Sequence, residues 1–346
     1  MQIYIHIPFC ESKCPYCAFG SHSDKFSQVK KYFLALNHEI QNTILDLNEK
    51  ITTIFIGGGT PSSVNAEFYA QIFEVLKPKL AKNAEITSEA NPNSANLQWL
   101  GDMKSFGVNR ISFGAQSFDE KKLRLLGRIH SKNAIFKAVQ NAKIAKFKNI
   151  NVDLMYGTKL DTKKLLKREL ENIANLGISH ISAYSLSLEE KTPFWDKLNL
   201  KKDSLSLARY LISGLEDIGF KQYEISNFGK ICTHNLGYWK QKDYLGFGAY
   251  AVGTMGDRRF YSPSDLDEYI ANPLQKKVEI LSKKDMLEEH IFLGLRSCVG
   301  IKLSNLDKEK IEKVELLEKE NKIYIKNGRA FNTNFLIADE ISLFLT

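Results

Sequence analysis

The chain has 346 residues, 43% hydrophobic and 25% charged, the proportions of a globular protein of about two domains with a sizeable core. It contains no run of about 18 apolar residues for a membrane span, and its start, MQIYIHIPF, lacks the basic, apolar and small-residue segments of a secretion signal, so a cytoplasmic location is expected. The net charge of +8 is spread over amphipathic stretches such as KKYFLALNHEI; solvated helix faces account for it, and no nucleic-acid partner is expected.

The first predicted strand, 2–7, runs straight into HIPFCESKCPYCAFGSH, which places Cys10, Cys14 and Cys17 within eight residues. In a reducing compartment an odd set of five cysteines does not read as a disulfide framework; metal binding or catalysis is the better reading of the clustered three. A structural zinc site takes four ligands, often as two pairs. Here one loop supplies three, with His6 and His22 the nearby candidates for a fourth. Three thiolates on a four-iron cluster instead leave one iron open to a small molecule.

A long helix follows, with Phe26, Val29, Phe33, Leu36, Ile40, Ile44 and Leu47 along one face. Strand 51–56 then leads into Gly57-Gly58-Gly59-Thr60-Pro61, and after a helix over 66–77 strand 84–90 ends at Glu89. Beyond a helix over 95–106, strand 109–115 runs up to Gln116; helices over 119–126 and 132–146 precede strand 149–156, which carries Asp153. A helix over 162–176, a strand over 179–187 and a helix over 203–218 complete the alternation. Six strands each followed by a helix predict a parallel sheet with right-handed crossovers, curled into an open or closed barrel. Such barrels place their chemistry at the C-terminal strand ends, and Cys10, the glycine turn, Glu89, Gln116 and Asp153 all fall there.

On these residues the chain resembles the radical S-adenosylmethionine (SAM) superfamily, whose hallmark is CxxxCxxC with an aromatic residue before the third cysteine. HIPFCxxxCPYC, FIGGGTPS, SEANP, RISFGAQSFD, LGRIH, NVDLMYG, YEISNF and HNLGYW narrow the likeness to the branch that holds oxygen-independent coproporphyrinogen III dehydrogenase and the HemW-type haem chaperones. The resemblance spans essentially the whole chain. It implies a partial (β/α)6 radical SAM barrel over 1–200, a connecting region over 201–280 and a small winged-helix-like C-terminal α+β domain over 281–346. It makes Cys10, Cys14 and Cys17 ligands of a [4Fe-4S] cluster whose open iron binds SAM. Tyr4 and Tyr16 match aromatic positions near the sulfonium and adenine; Gly58, Gly59 and Thr60 match the segment holding the amino group. Glu89, Gln116 and Asp153 match polar positions around the ribose and amino end, and Arg128 matches the arginine facing the SAM carboxylate. Cleavage of SAM there would give methionine and a 5′-deoxyadenosyl radical.

Two departures from the dehydrogenase pattern favour the chaperones: Phe19 stands where those enzymes carry a fourth cysteine, and the chain starts at Met1 without their N-terminal extension. HNxxYW resembles the chaperones' haem-binding motif, so His234 is the first candidate for an axial ligand, with Tyr238 and Trp239 for packing and Cys232 as an alternative thiolate. The implied function is haem binding and transfer to haem-dependent, respiratory proteins, by a homodimer associated peripherally with the membrane; the alternative is radical decarboxylation of coproporphyrinogen III. A further departure, YGTKLDT where relatives read YGLPxQT, predicts a different loop over Thr158 to Asp161. From about Leu281 two helices, a hairpin turning at Asn327-Gly328 and a final apolar helix are expected, with Cys298 a buried structural thiol.

Overall fold

A computed structural model describes residues Met1–Thr346. Six strands, β1 (Gln2–Ile7), β2 (Ile51–Gly58), β3 (Leu80–Ala90), β4 (Arg110–Gln116), β5 (Asn149–Tyr156) and β6 (His180–Ser185), lie parallel in chain order. The crossovers are helical: α1 (Val29–Leu45), α2 (Glu67–Leu76), α3 (Leu97–Phe106), the pair α4 (Glu120–Leu125) and α5 (Lys132–Ile144), then α6 (Lys163–Ala174). Helix α7 (Leu205–Asp217) follows β6 and packs beside α6. Side-chain caps set the helix starts: Asn96 accepts from the Trp99 N–H and Ser131 and Thr162 do the same for α5 and α6.

Strand alternation divides the sheet into two unlike faces. Ile111, Phe113, Ala115, Ile150, Val152, Leu154, Ile181 and Ala183 point into the main core with the helices. The residues between them are Arg110, Ser112, Asn149, Asn151, Asp153, His180 and Ser182, so the face turned inward is polar.

The segment 201–280, read from sequence as a connection, contributes five strands to the same sheet. β7 (Asn227–Gly229) pairs antiparallel with β6, and after α8 (Thr233–Trp239) strand β8 (Tyr244–Phe247) pairs parallel with β1 on the edge opposite β2. β9 (Val252–Met255), β10 (Arg258–Tyr261) and, beyond α9 (Leu266–Ala271), β11 (Lys277–Ile280) continue antiparallel, giving an open eleven-stranded sheet with β11 and β7 at its edges. Strands of three or four residues carry too little periodicity to stand out in a sequence.

The C-terminal unit has its own core around Ile291, Leu295, Val314, Leu317 and Ile341. It consists of α10 (Lys283–Leu295), β12 (Ile301–Lys302), α11 (Lys308–Lys319), β13 (Ile323–Lys326), β14 (Arg329–Asn332) and α12 (Ala338–Leu345), with its antiparallel strands in the order β12-β14-β13. Asn327 and Gly328 both take positive φ, 50° and 72°, as a two-residue hairpin turn of this hand requires.

The unusual loop over Thr158 to Asp161 has a structural explanation. Asp161 accepts from the Thr158 N–H and hydroxyl at 2.7 and 2.8 Å and pairs with Lys122 Nζ at 2.7 Å, both charged side chains being fully buried. Glu169 stands 3.9 Å from the same ammonium and accepts from the Phe118 N–H at 2.8 Å. Removing one partner of a buried pair leaves the other charge uncompensated. Lys122→Met is therefore expected to destabilise the protein by about 3 kcal/mol in urea denaturation; unchanged stability would show that the network contributes nothing net.

Candidate cofactor site at the strand ends

The cysteine loop leaves β1 and is tied back to it. His22 N–H donates to Pro8 O at 2.9 Å and Cys10 N–H to His22 O at 3.1 Å, closing the loop at its base. The turn after β2 locks onto the same segment: Gly59 N–H reaches Ile7 O at 2.8 Å and Thr60 N–H reaches Phe9 O at 2.7 Å. A side chain at Gly59 would put its Cβ 2.7 Å from Phe9 O, so this crossing of two backbones demands glycine. On the far side, Phe194 N–H donates to Pro15 O at 3.0 Å, and Tyr16 packs with Leu126, Met155, Leu186, Phe194 and Leu200. Gly127, with φ of 65°, lets the chain pass where a Cβ would lie 2.5 Å from Pro15 Cδ.

A recessed cavity of about 150 Å³ results, and the sequence-predicted residues converge on it. Cys10, Cys14, Cys17, Tyr16, Gly58, Gly59, Thr60, Glu89, Gln116, Arg128 and Asp153 all line it. Cys10 Sγ lies 3.3 Å from Thr60 Oγ1, and Arg128 donates from Nη1 to Cys14 Sγ at 3.2 Å and from Nη2 to Gly114 O at 2.6 Å. The Arg128 Nε–H is buried and has no partner. Gln116 is held at a φ of 67° where a bulge interrupts the β4–β5 pairing, a device that re-aims a side chain at a strand end. Burial pushes the Cys10 and Cys17 thiols up, so both are protonated at neutral pH until a metal displaces the protons.

No three His, Cys, Asp or Glu side chains converge on a single metal-binding point. A cubane needs no such point, because its irons each take a different thiolate. His6 is excluded as a fourth ligand because its Nε2–H donates to Gly20 O at 2.8 Å and its Nδ1 accepts from Tyr4 Oη at 2.9 Å. His22 Nε2 lies 3.1 Å from Tyr250 Oη. Tyr4, also expected at the cofactor, does not line the cavity; its ring is stacked on Phe55.

Sequence reasoning missed the polar network beneath the carboxylates. Asn151 Nδ2 donates to Asp153 Oδ1 and to Ser112 Oγ, both at 2.7 Å. Its Oδ1 meets His180 Nδ1 at 2.6 Å, and His180 Nε2 continues to Tyr223 Oη at 2.7 Å. The available signal was polar residues at every second position of otherwise apolar strands.

The haem-ligand candidates do not line this cavity. His234 is fully buried, with Nδ1 2.7 Å from Thr53 Oγ1, Nε2 2.8 Å from Tyr238 Oη and the Phe55 ring 5.3 Å away. Burial lowers its pKa to about 3, so the ring is neutral. Cys232 is also fully buried, its thiol 3.5 Å from Glu85 Oε1. As folded, neither presents a free donor to an iron in a bound macrocycle. Cys298, expected to be buried, is exposed.

Glu89 and Asp153 face each other's charge inside the recess. Burial, reinforced by Asp153, raises Glu89 from 4.5 to about 8, so the folded chain holds a proton there that the unfolded chain releases above about 4.5. Its contribution therefore weakens stability progressively as pH rises from about 4.5 to about 8. Glu89→Gln is expected to flatten that fall in the cofactor-free chain, read as the difference between urea midpoints at pH 5 and pH 8. An equal fall in both proteins would contradict the assignment.

The radical SAM superfamily pattern matches residues 4–173, the part that builds this cavity. The chain is 35% identical over 317 residues to the haem chaperone HemW of Bacillus subtilis, covering 86% of this chain and 84% of that one. It is 36% identical to HemW of Escherichia coli over 74% of this chain and 70% of the relative, and 37% identical to that of Haemophilus influenzae over the same shares. Coproporphyrinogen III oxidase (HemN) of Escherichia coli, described as a radical SAM enzyme, superposes with a TM-score of 0.83 over 99% of this chain and 89% of its own at 20% identity, a likeness of fold. Relatives this similar over most of both chains place the protein: it belongs to the HemW family, within the radical SAM superfamily.

Proposed function

We propose that the protein is a haem carrier that binds haem and passes it to haem-dependent proteins, those of respiration foremost, and that the strand-end cavity holds a [4Fe-4S] cluster and SAM. The observation that carries the cofactor assignment is the convergence of three thiols, a half-buried arginine and two recessed carboxylates on one cavity. Cys10, Cys14 and Cys17 would hold three irons. The unpartnered Arg128 Nε–H suits the SAM carboxylate, the Gly58-Gly59-Thr60 backbone its amino group, and Glu89, Gln116 and Asp153 its remaining polar atoms. Tyr16 would cover the adenine. When bound, the cluster and SAM supply one-electron chemistry; the chain supplies position, a dry recess and the proton on Glu89.

The haem assignment is supported by the relatives, which are haem chaperones by name. Phe19 agrees with it: at the position of the dehydrogenases' fourth cysteine, its side chain is 68% exposed and offers no thiol. No helix is long and apolar enough to cross a membrane, so membrane contact would be peripheral. A homodimer fits the same reading.

An anaerobic haem titration of the cluster-reconstituted protein, followed through gel filtration and paired with an assay for SAM-dependent coproporphyrinogen decarboxylation, tests the proposal. Near-stoichiometric retention of haem without decarboxylation is expected. Decarboxylation without haem retention would establish the dehydrogenase activity instead.

A further inference from the structure

A cavity of about 1450 Å³ lies away from the strand ends, between α8 with β8–β10 on one side and α10 with the small C-terminal sheet on the other. It exceeds the roughly 300–1,000 Å³ of clefts that seat ordinary small ligands. Tyr238, Trp239, Phe292 and Phe331 line it with flat apolar surface. Its charge is one-sided: six lysines and arginines reach it, against the single carboxylate of Glu289, which is already paired with Arg259. Arg329 is committed to Val299 O and Gly300 O, both at 2.8 Å. Lys240, Lys242, Lys283 and Lys302 carry no ion pair and leave the cleft with uncompensated positive charge. Flat, apolar and cationic walls select a flat, apolar anion.

The histidine and the cysteine on the walls differ in availability. His290 is closed, because its Nε2 accepts from the Lys302 N–H at 2.9 Å and its Nδ1 meets Gln241 Oε1 at 3.1 Å. Cys298 is open. Its backbone is fixed by an N–H bond to Tyr223 O at 2.8 Å, the residue is exposed, and partial burial raises its thiol so that it is protonated at neutral pH. The walls belong to separate hydrophobic cores, and the bonds that bridge them here are polar: Gln241 Nε2 to Met286 O at 3.2 Å and the Arg259–Glu289 pair. Such a seam can part to release a ligand.

We propose that this cleft is where haem rides, its two propionates on the unpaired lysines and Cys298 supplying the axial sulfur. The assignment rests on the haem-carrier reading above and moves the ligand from the buried His234 to an open thiol. Ligation transfers the thiol proton to solvent as the sulfur lone pair binds iron, with no change in oxidation state.

The test is a titration of ferric haem into wild type, Cys298→Ser, Lys240→Glu/Lys302→Glu and His234→Gln, each checked for folding by circular dichroism. Wild type is expected to retain haem with a thiolate-ligated spectrum that Cys298→Ser loses and His234→Gln keeps. The double charge reversal should weaken binding by about tenfold, the worth of one charge-assisted hydrogen bond. Wild type that binds no haem sinks the carrier reading itself. Wild type that binds haem with a spectrum unchanged in Cys298→Ser, or with an affinity untouched by charge reversal, overturns the cleft assignment alone.

Discussion

The structure is organised by the double pairing of β1. This strand is bonded in parallel to β2 on one edge and to β8 on the other, with Gln2 opposite Thr53 and Tyr244. Its apolar residues Ile3, Ile5 and Ile7 are fully buried, so it cannot slide by one residue without turning that row away from the core. Because β1 is fixed, the thiol loop that leaves its end is fixed, and the β2 turn can clamp that loop through Gly59 and Thr60. Because β8 is held on its other edge, α8 and the wall of the large cleft are positioned by the same strand. Gln2 makes the link explicit, donating to Thr53 Oγ1 and to His234 O, each at 3.1 Å.

Within this frame the sheet's inward face carries a connected polar network. Burying Asn151, His180 and Tyr223 is tolerated because each finds a partner, and the chain of bonds runs from Asp153 at the cavity to the Cys232 N–H, which donates to Tyr223 Oη at 3.2 Å. The carboxylates at the mouth sit at the end of that network and are recessed enough for Glu89 to stay protonated near neutrality. An arginine and thiols meet them there, an arrangement whose stability alone gives no reason for its existence.

Much of this was legible in the chain because strong local signals coincide with long elements. The α1 stripe, the βα alternation and the glycine turn predict the barrel half, and the spacing of the thiols places them at its rim. Other parts were hidden for physical reasons. Strands β7 to β11 are too short to show a period, and the parallel pairing of β8 with β1 joins residues more than 240 positions apart. An HNxxYW stretch does not say where its imidazole points; here Thr53 and Tyr238 engage both nitrogens of His234. Cys298 misleads, since an isolated cysteine is more often buried than not. Its exposure follows from a cleft between two cores, a feature no single segment encodes.

The most direct measurement of the central claim is electron paramagnetic resonance of the reconstituted, reduced protein with and without SAM, in wild type and in Arg128→Gln. The account predicts a reduced four-iron signal that SAM perturbs, absent when Cys10, Cys14 and Cys17 are replaced together, with the perturbation requiring a higher SAM concentration in Arg128→Gln. A cluster signal that survives loss of the three cysteines, or one that SAM leaves untouched, would contradict the assignment of the strand-end cavity.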